Sequence, residues 1–291
     1  MNVCAILVTY HPDAEFPARL RSIARQAAAL VIVDNGSDDA ELRMLREIAA
    51  DPAITLISNT ANLGIAAALN IGIRCAATLE FRWALLFDQD SLVDGDMVET
   101  LCSAADSFPD GGRLAIVGSR YRDRHGEPTE PGKFQLRGDQ WDEVEWVITS
   151  GSLLSMAAYA DIGPFREEFF IDYVDIDYCI RARAAGYRII KTRRPVMSHS
   201  IGKPTQHTLL WMKKWTTNHS ADRRYYIARN DTVMLRERGN YRVGWWALKS
   251  FLRRVRSCKR ILLYEEAKLP KIGAVCEGWW DGVRGRMGPR K

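Results

Sequence analysis

Two aspartates separated by one residue, Asp88 and Asp90, follow directly on the apolar run Trp83-Ala84-Leu85-Leu86-Phe87. The run has the length of a sheet-core strand. Open α/β sheets bind their ligands outside the carboxyl ends of the strands, which is where this pair falls. Two carboxylates there offer hard oxygen ligands to a divalent cation and leave positions for diphosphate oxygens. Such chemistry points to an enzyme acting on a nucleotide-activated substrate. The same residues also suit a polar strand-to-helix turn capped by Asp90 or Ser91, so this segment alone supports both readings.

Three other segments bear on the choice. Asp34 ends the run Leu30 to Val33 and opens Asp34-Asn35-Gly36-Ser37. It is placed to accept from a ribose hydroxyl or a base N–H, or simply to close a tight turn, for which Asn-Gly and Ser are suited. Asp172, Asp175 and Asp177 stand among aromatics in Phe169-Phe170-Ile171-Asp172-Tyr173-Val174-Asp175-Ile176-Asp177. Acids in a first helical turn complement the helix dipole, while an aspartate aimed at a reaction centre is a general base. Arg181 and Arg183, a turn later, are either partners of these acids or exposed helix charges. His199 follows a predicted strand, and a lone histidine is more often structural than a metal ligand.

These residues need a scaffold that brings strand ends together. Val3 to Thr9 reads as a strand, followed by the turn His11-Pro12-Asp13 and a helical pattern of Phe16, Leu20, Ile23 and Ala27. Leu30 to Val33 and Ile54 to Ile57 are further strands, with Leu42, Leu45, Ile48 and Ala49 marking a helix between them. Asn62-Leu63-Gly64 opens an alanine-rich helix to about Ala77, which feeds the Trp83–Phe87 strand. Alternating β and α predicts a parallel sheet with helices on both faces. Beyond Asp90 the pattern predicts a helix over Met97, Leu101 and Ala105 and strands at Leu114–Gly118, Val144–Ile148 and Tyr187–Lys191. It also predicts a helix at Asp175–Ala185, an excursion over 120–140, and mainly helix from Asp222 onward.

The 291 residues are 47% hydrophobic and 26% charged, the composition of an ordinary folded protein. No stretch reaches the length of an apolar membrane span, and no signal peptide is evident, so a cytoplasmic location is expected. Six scattered cysteines without a Cys-x-x-Cys pair fit reduced thiols rather than a zinc ribbon or disulfide scaffold. Residues 242–291 hold 13 Lys and Arg against 4 Asp and Glu, a net of +9, which leaves the first 241 residues at −4 of the total +5. The acidic larger part argues against nucleic acid as a partner. There is no Gly-x-Gly-x-x-Gly, no P-loop and no Gly-x-Ser-x-Gly elbow, which disfavours dehydrogenases, P-loop NTPases and that hydrolase class.

Taken in order, Val8-Thr9-Tyr10, Val33-Asp34-Asn35-Gly36-Ser37, Asn62-Leu63-Gly64, Phe87-Asp88-Gln89-Asp90-Ser91, Gly151-Ser152, Asp175-Ile176-Asp177 and His199 resemble the family 2 inverting glycosyltransferases. Asn62-Leu63-Gly64-Ile65-Ala66 with Asn70, the segment Leu86–Ser91, and the ending Asp281–Gly288 are similar, more narrowly, to bacterial L-rhamnosyltransferases that use dTDP-L-rhamnose. The resemblance implies a GT-A nucleotide-diphospho-sugar fold, a Rossmann-like mixed sheet with helices on both faces. It implies a catalytic domain over 1–220 and a basic, aromatic-rich helical extension over 221–291. Thr9, Tyr10, Asp34, Asn62, Asp88, Gln89 and Arg229 would bind the nucleotide sugar, with Asp34 on the base. Arg229 has a second reading, as a brace within its helix. Asp88, Asp90 and His199 would hold Mg2+ or Mn2+. Asp175 would be the catalytic base; Val174 replaces the family's first acid, which keeps Asp177 in view as well. Gly151, Ser152 and Asp177 would border the acceptor.

The implied reaction is a single displacement with inversion, from dTDP-β-L-rhamnose to a saccharide acceptor expected to be lipid-linked, in O-antigen, capsule or cell-wall polysaccharide synthesis. The segment 242–262 interleaves tryptophans and aliphatics with arginines, a pattern suited to peripheral contact with an anionic membrane on its cytoplasmic face, or to packing on the core or another subunit. Two alternatives stay open: a family 2 transferase using a UDP-sugar, and a catalytically silent sugar-nucleotide-binding protein. The sequence sets no oligomeric state.

Overall fold

The computed structural model describes residues 2–122, 135–136, 140–198, 205–209, 212–216, 218–237 and 245–290. Its elements, in chain order, begin with β1 (Val3–Thr9), α1 (Phe16–Ala24), β2 (Ala29–Asp34), α2 (Asp39–Ile48), β3 (Ile54–Ser58), α3 (Ile65–Thr78) and β4 (Trp83–Asp88). There follow β5 (Leu92–Val93), α4 (Met97–Asp106), β6 (Leu114–Arg122), β7 (Gln135–Leu136), β8 (Trp141–Glu143), β9 (Ser152–Ser155) and α5 (Met156–Ile162). The remainder is α6 (Val174–Ala184), β10 (Arg188–Ser198), β11 (Thr205–Leu209), β12 (Met212–Thr216), α7 (Ala221–Glu237), α8 (Trp245–Tyr264) and α9 (Lys268–Arg284).

The chain divides into two compact units. Met1–Arg166 with Asp175–His199 forms the first, and Glu167–Val174 with Ser200–Lys291 the second. A short stretch ahead of α6 goes with the second unit. The reason is a set of hydrogen bonds: Arg229 and Asn230 of α7 hold the backbone carbonyls of that stretch.

In the first unit one sheet runs β3-β2-β1-β4-β9-β6-β10-β8-β7, with β5 on β10. The four strands from β3 to β4 are parallel. β9 then runs antiparallel between β4 and β6, so the sheet is mixed rather than parallel throughout. Every residue of β1 is buried, as strands covered on both faces require. Val3, Ala5 and Leu7 join Phe16, Leu20 and Ile23 of α1, Leu45 of α2 and Met97 of α4 in one core. Ile6 and Val33 point the other way, toward α3 at Gly72. The predicted strand at Val144–Ile148 is not formed; its neighbours Trp141–Glu143 and Ser152–Ser155 are the strands, because they find partners in β10 and in β4 with β6. Much of the expected excursion over 120–140 lies outside the described residues.

The second unit is built on α7, α8 and α9 and the two-stranded pair β11–β12. α9 lies close against α7 because Gly278 has no side chain there: a Cβ would sit 2.2 Å from the Tyr225 carbonyl oxygen. Among the described residues no helix is long and apolar enough to cross a membrane.

Candidate active site

The parallel register aligns the carboxyl ends of four strands. Thr9 lies beside Asp34, Asp34 beside Ser58, and Val8 beside Asp88. At the end of β2, Asp34 is fully buried. Its Oδ1 accepts from Thr9 Oγ1 at 3.0 Å and Ser37 Oγ at 2.5 Å, and its Oδ2 from the Gly36 and Ser37 amides at 3.2 and 2.9 Å. An ionised carboxylate has about four acceptor sites, and this one has four donors, three from its own loop and one from Thr9 of β1. Asp34 thus closes a tight turn, and Thr9 and Asp34, both expected on the nucleotide, are buried and bonded to each other. Asn35 extends the framework, donating to Asn62 Oδ1 at 2.9 Å and accepting from Asn59 at 3.1 Å and from the Leu63 amide at 3.0 Å. Asn62 itself stays at the surface.

β4 ends in a turn closed by the Ser91 amide on the Asp88 carbonyl at 3.3 Å, with Asp88, Gln89 and Asp90 all half-buried. Ser150 secures it from beneath, accepting from the Asp88 amide at 3.4 Å and sharing a 2.5 Å hydrogen bond with the Ser91 hydroxyl. The Gln89 amide closes on the backbone of Tyr10, accepting from its N–H at 2.8 Å and donating to its carbonyl at 3.1 Å. Gln89, expected on the nucleotide sugar, has both ends of its amide engaged on the Tyr10 backbone. The Gln89 carbonyl accepts from Arg19 Nε at 2.9 Å, and Arg19 pairs with Asp13 at 2.5 Å. That hydrogen bond holds the Asp13 carboxyl below its ordinary range. What this edge presents outward is Tyr10, 46% exposed, with Asn62 and the half-buried Asp88 and Asp90.

Gly151 and Ser152, expected beside an acceptor, are both buried. Gly151 joins strands: its amide donates to the Leu86 carbonyl at 2.8 Å and its carbonyl accepts from Ser119 at 3.1 Å. Its φ is +75°, and a Cβ would lie 2.2 Å from Met197 Sδ and 2.3 Å from Ser119 Oγ, so only glycine fits. The Ser152 hydroxyl donates to the Ile148 carbonyl. β10 carries the chain to Ser198, opposite Leu92 of β5, just past Asp90 in sequence; His199 lies outside the described residues.

α6 begins with the acids. Asp177, expected at the acceptor, is 5% exposed and pairs with Arg181 at 2.8 Å and Arg166 at 3.5 Å. Arg181 goes on to the carbonyls of Ile162 and Pro164 at 3.2 and 2.8 Å. Asp175 is half-buried, and its Oδ1 accepts from the Ile176 amide at 2.8 Å. Burial pushes the thiols of Cys4 and Cys179 up to about 12, which keeps both protonated and unreactive.

The family model described as Glycosyl transferase family 2 matches residues 4–162, more than half of the chain. The chain belongs to glycosyl transferase family 2. The dTDP-rhamnosyl transferase RfbF of Shigella flexneri is 29% identical over 251 residues, 81% of this chain and 80% of the relative. The solved structure of S. aureus TarS matches with a TM-score of 0.61 at 16% identity, covering 98% of this chain, which spans 49% of that longer protein. Mannosyltransferase PcManGT from Pyrobaculum calidifontis, solved with GDP-Man and Mn2+, matches with a TM-score of 0.56 at 15% identity over 97% of this chain and 75% of its own. The fold is GT-A, as the motifs implied, and the protein is a glycosyltransferase.

The family 2 motifs say nothing of a cluster that the structure adds around the stretch ahead of α6. Phe170, Asp172 and Tyr173 have φ of +64°, +62° and +66°, a left-handed run that side chains other than glycine resist. Asn230 Nδ2 donates to the carbonyls of Phe169, Ile171 and Asp172 at 3.0, 2.9 and 2.9 Å. Tyr173 donates to Asp231 at 3.1 Å, and Arg223 pairs with Asp172 at 3.0 Å. Arg229, expected near the diphosphate, is fully buried. Its guanidinium donates to the Glu168 and Phe169 carbonyls, both at 2.9 Å, and to that of Gly288, and lies 4.9 Å over the Tyr226 ring. These contacts brace the stretch ahead of α6. Asn230 and Asp231 carried one sequence signal, four successive polar residues, Arg229-Asn230-Asp231-Thr232, between apolar neighbours in one helix.

Proposed function

We propose that this family 2 enzyme moves L-rhamnose from dTDP-β-L-rhamnose to a hydroxyl of a lipid-linked saccharide, with inversion, in bacterial O-antigen, capsule or cell-wall polysaccharide synthesis. The donor rests on one observation, the identity to a dTDP-rhamnosyl transferase across four-fifths of both chains. Asp88 and Asp90 would hold Mg2+ or Mn2+, joined by His199: two half-buried carboxylates in one turn are hard oxygen donors suited to either ion. When bound, the cation neutralises charge on the leaving diphosphate.

Within this reading the chain's own groups divide the remaining work. Ser150 fixes the turn that carries Asp88, and the Gln89 clasp holds Tyr10 where its ring lines the nucleotide side with Asn62. Asp175 removes the proton from the acceptor hydroxyl, which attacks the anomeric carbon from the face opposite the diphosphate. It is favoured over Asp177 because Asp177 is buried and committed to two arginines. The β-linked donor then yields an α-L-rhamnoside without a covalent enzyme intermediate.

Calorimetry with Mn2+ present should show dTDP-rhamnose binding to wild type and to Asp175→Asn alike, while transfer by the variant falls about 10²- to 10⁴-fold. Normal turnover by Asp175→Asn would remove it as the base. Tighter binding of a UDP-sugar would overturn the donor. Failure to release dTDP when a membrane extract supplies acceptor would favour a silent binding protein.

A further inference from the structure

α8 contains six Lys or Arg and no Asp or Glu. Leu248, Phe251, Leu252, Val255, Leu262 and Leu263 along it are each 45 to 52% exposed. At 3.6 residues per turn these six fall within an arc of about 120°. The opposite side of the helix is its packed side: Ser250 and Ile261 are fully buried there, and Ser250 accepts from Trp279 Nε1 of α9 at 3.0 Å. The outward apolar stripe is therefore surplus to the core. It continues into an apolar groove of about 700 Å³ between α8 and α9, floored by Trp279 and Trp280.

The charges on α8 split the same way. Arg253 and Arg254 turn inward to Asp231, while Lys249, Arg256, Lys259 and Arg260 are exposed. On the helical wheel Lys249, Arg256 and Arg260 border the stripe along one side, and Lys259 projects from within it. We infer that this face of α8 docks on an anionic lipid surface, with the helix lying in the interface plane. Aliphatic and aromatic side chains enter the acyl boundary, and the bordering cations meet phosphate headgroups. The long stem of Lys259 lies along the apolar surface while its ammonium reaches water. A second copy of the chain is a poorer occupant, because a two-fold contact sets the same cationic stripe against itself. This surface goes beyond the proposed reaction and does not depend on the donor.

Flotation of the whole protein with phosphatidylcholine vesicles, with and without phosphatidylglycerol, tests it. Binding should require phosphatidylglycerol and weaken with salt. The triple variant Arg256→Gln, Lys259→Gln, Arg260→Gln should lose about a hundredfold in partitioning, at roughly fivefold per charge. The variant Phe251→Ser, Val255→Ser, Leu262→Ser should lose binding while keeping the wild-type circular dichroism and donor affinity. Absence of flotation, equal binding to neutral vesicles, or full binding by either variant would overturn the inference. So would a wild-type dimer, seen by light scattering, that the apolar variant converts to monomer.

Discussion

Asn230→Ala tests the clamp ahead of α6 most sharply. The substitution removes the donor shared by the carbonyls of Phe169, Ile171 and Asp172. Phe169 keeps Arg229 as a partner, so the loss falls on Ile171 and Asp172. Both carbonyls are part-buried, and leaving a fully buried one without its bond costs about 1–3 kcal/mol, an upper bound for each. The three left-handed residues hold a further cost of about 1–2 kcal/mol each, part of which is recovered as the stretch relaxes. A net loss of about 2–3 kcal/mol is expected, with a melting temperature about 5–10 °C lower. Hydrogen exchange should locate the change: amides in 168–174 should exchange about 30- to 150-fold faster if that energy governs their opening, while those of β1 and β4 hold. Because Asp175 follows that stretch directly, kcat should fall with donor affinity retained. Unchanged exchange over 168–174 together with wild-type turnover would refute the reasoning.

Two further outcomes are expected. Gly151→Ala combines a positive φ with a Cβ 2.2 Å from Met197 Sδ; it should lower stability by about 2–4 kcal/mol in a denaturant melt, and a neutral result would show that the β4–β9 junction yields easily. His219 is pushed down to about 3, chiefly by burial and then by Arg223, Arg224 and Lys271. The unfolded chain therefore takes up a proton below its ordinary 6.5 that the folded chain refuses. Stability should fall as pH drops from 6.5 toward about 3, with no contribution from this group above 6.5. Thermal melts of His219→Gln should show a flatter acid slope; an identical slope would remove the assignment.

The first half of the fold was legible because β1, β2 and β4 are short apolar runs separated by helical periodicity, and each formed where the pattern put it. β9 was not: Ser152-Leu153-Leu154-Ser155 is too short to stand out beside Val144–Ile148, and only pairing on both sides makes it a strand. The site divides similarly. Asp34 and Asp88 look alike in sequence, each an acid closing an apolar run. What the sequence does not display is that the β1–β2 register brings Thr9 onto Asp34. Asp177 carried a local sign of its structural role, since Arg181 stands one turn later and pairs with it. Arg229 carried none, because its acceptors are backbone carbonyls about sixty residues away on either side.

The stretch 167–174 has a consequence for the order in which the protein is made. It is translated well before α7, yet α7 supplies the side chains that hold it in its left-handed course. Until those residues emerge, the segment has no reason to keep a conformation its own side chains oppose. A chain synthesised only through β4 and the Asp88–Asp90 turn, or even through α6, would therefore still lack the Asn230 donors that hold the stretch just ahead of the proposed base.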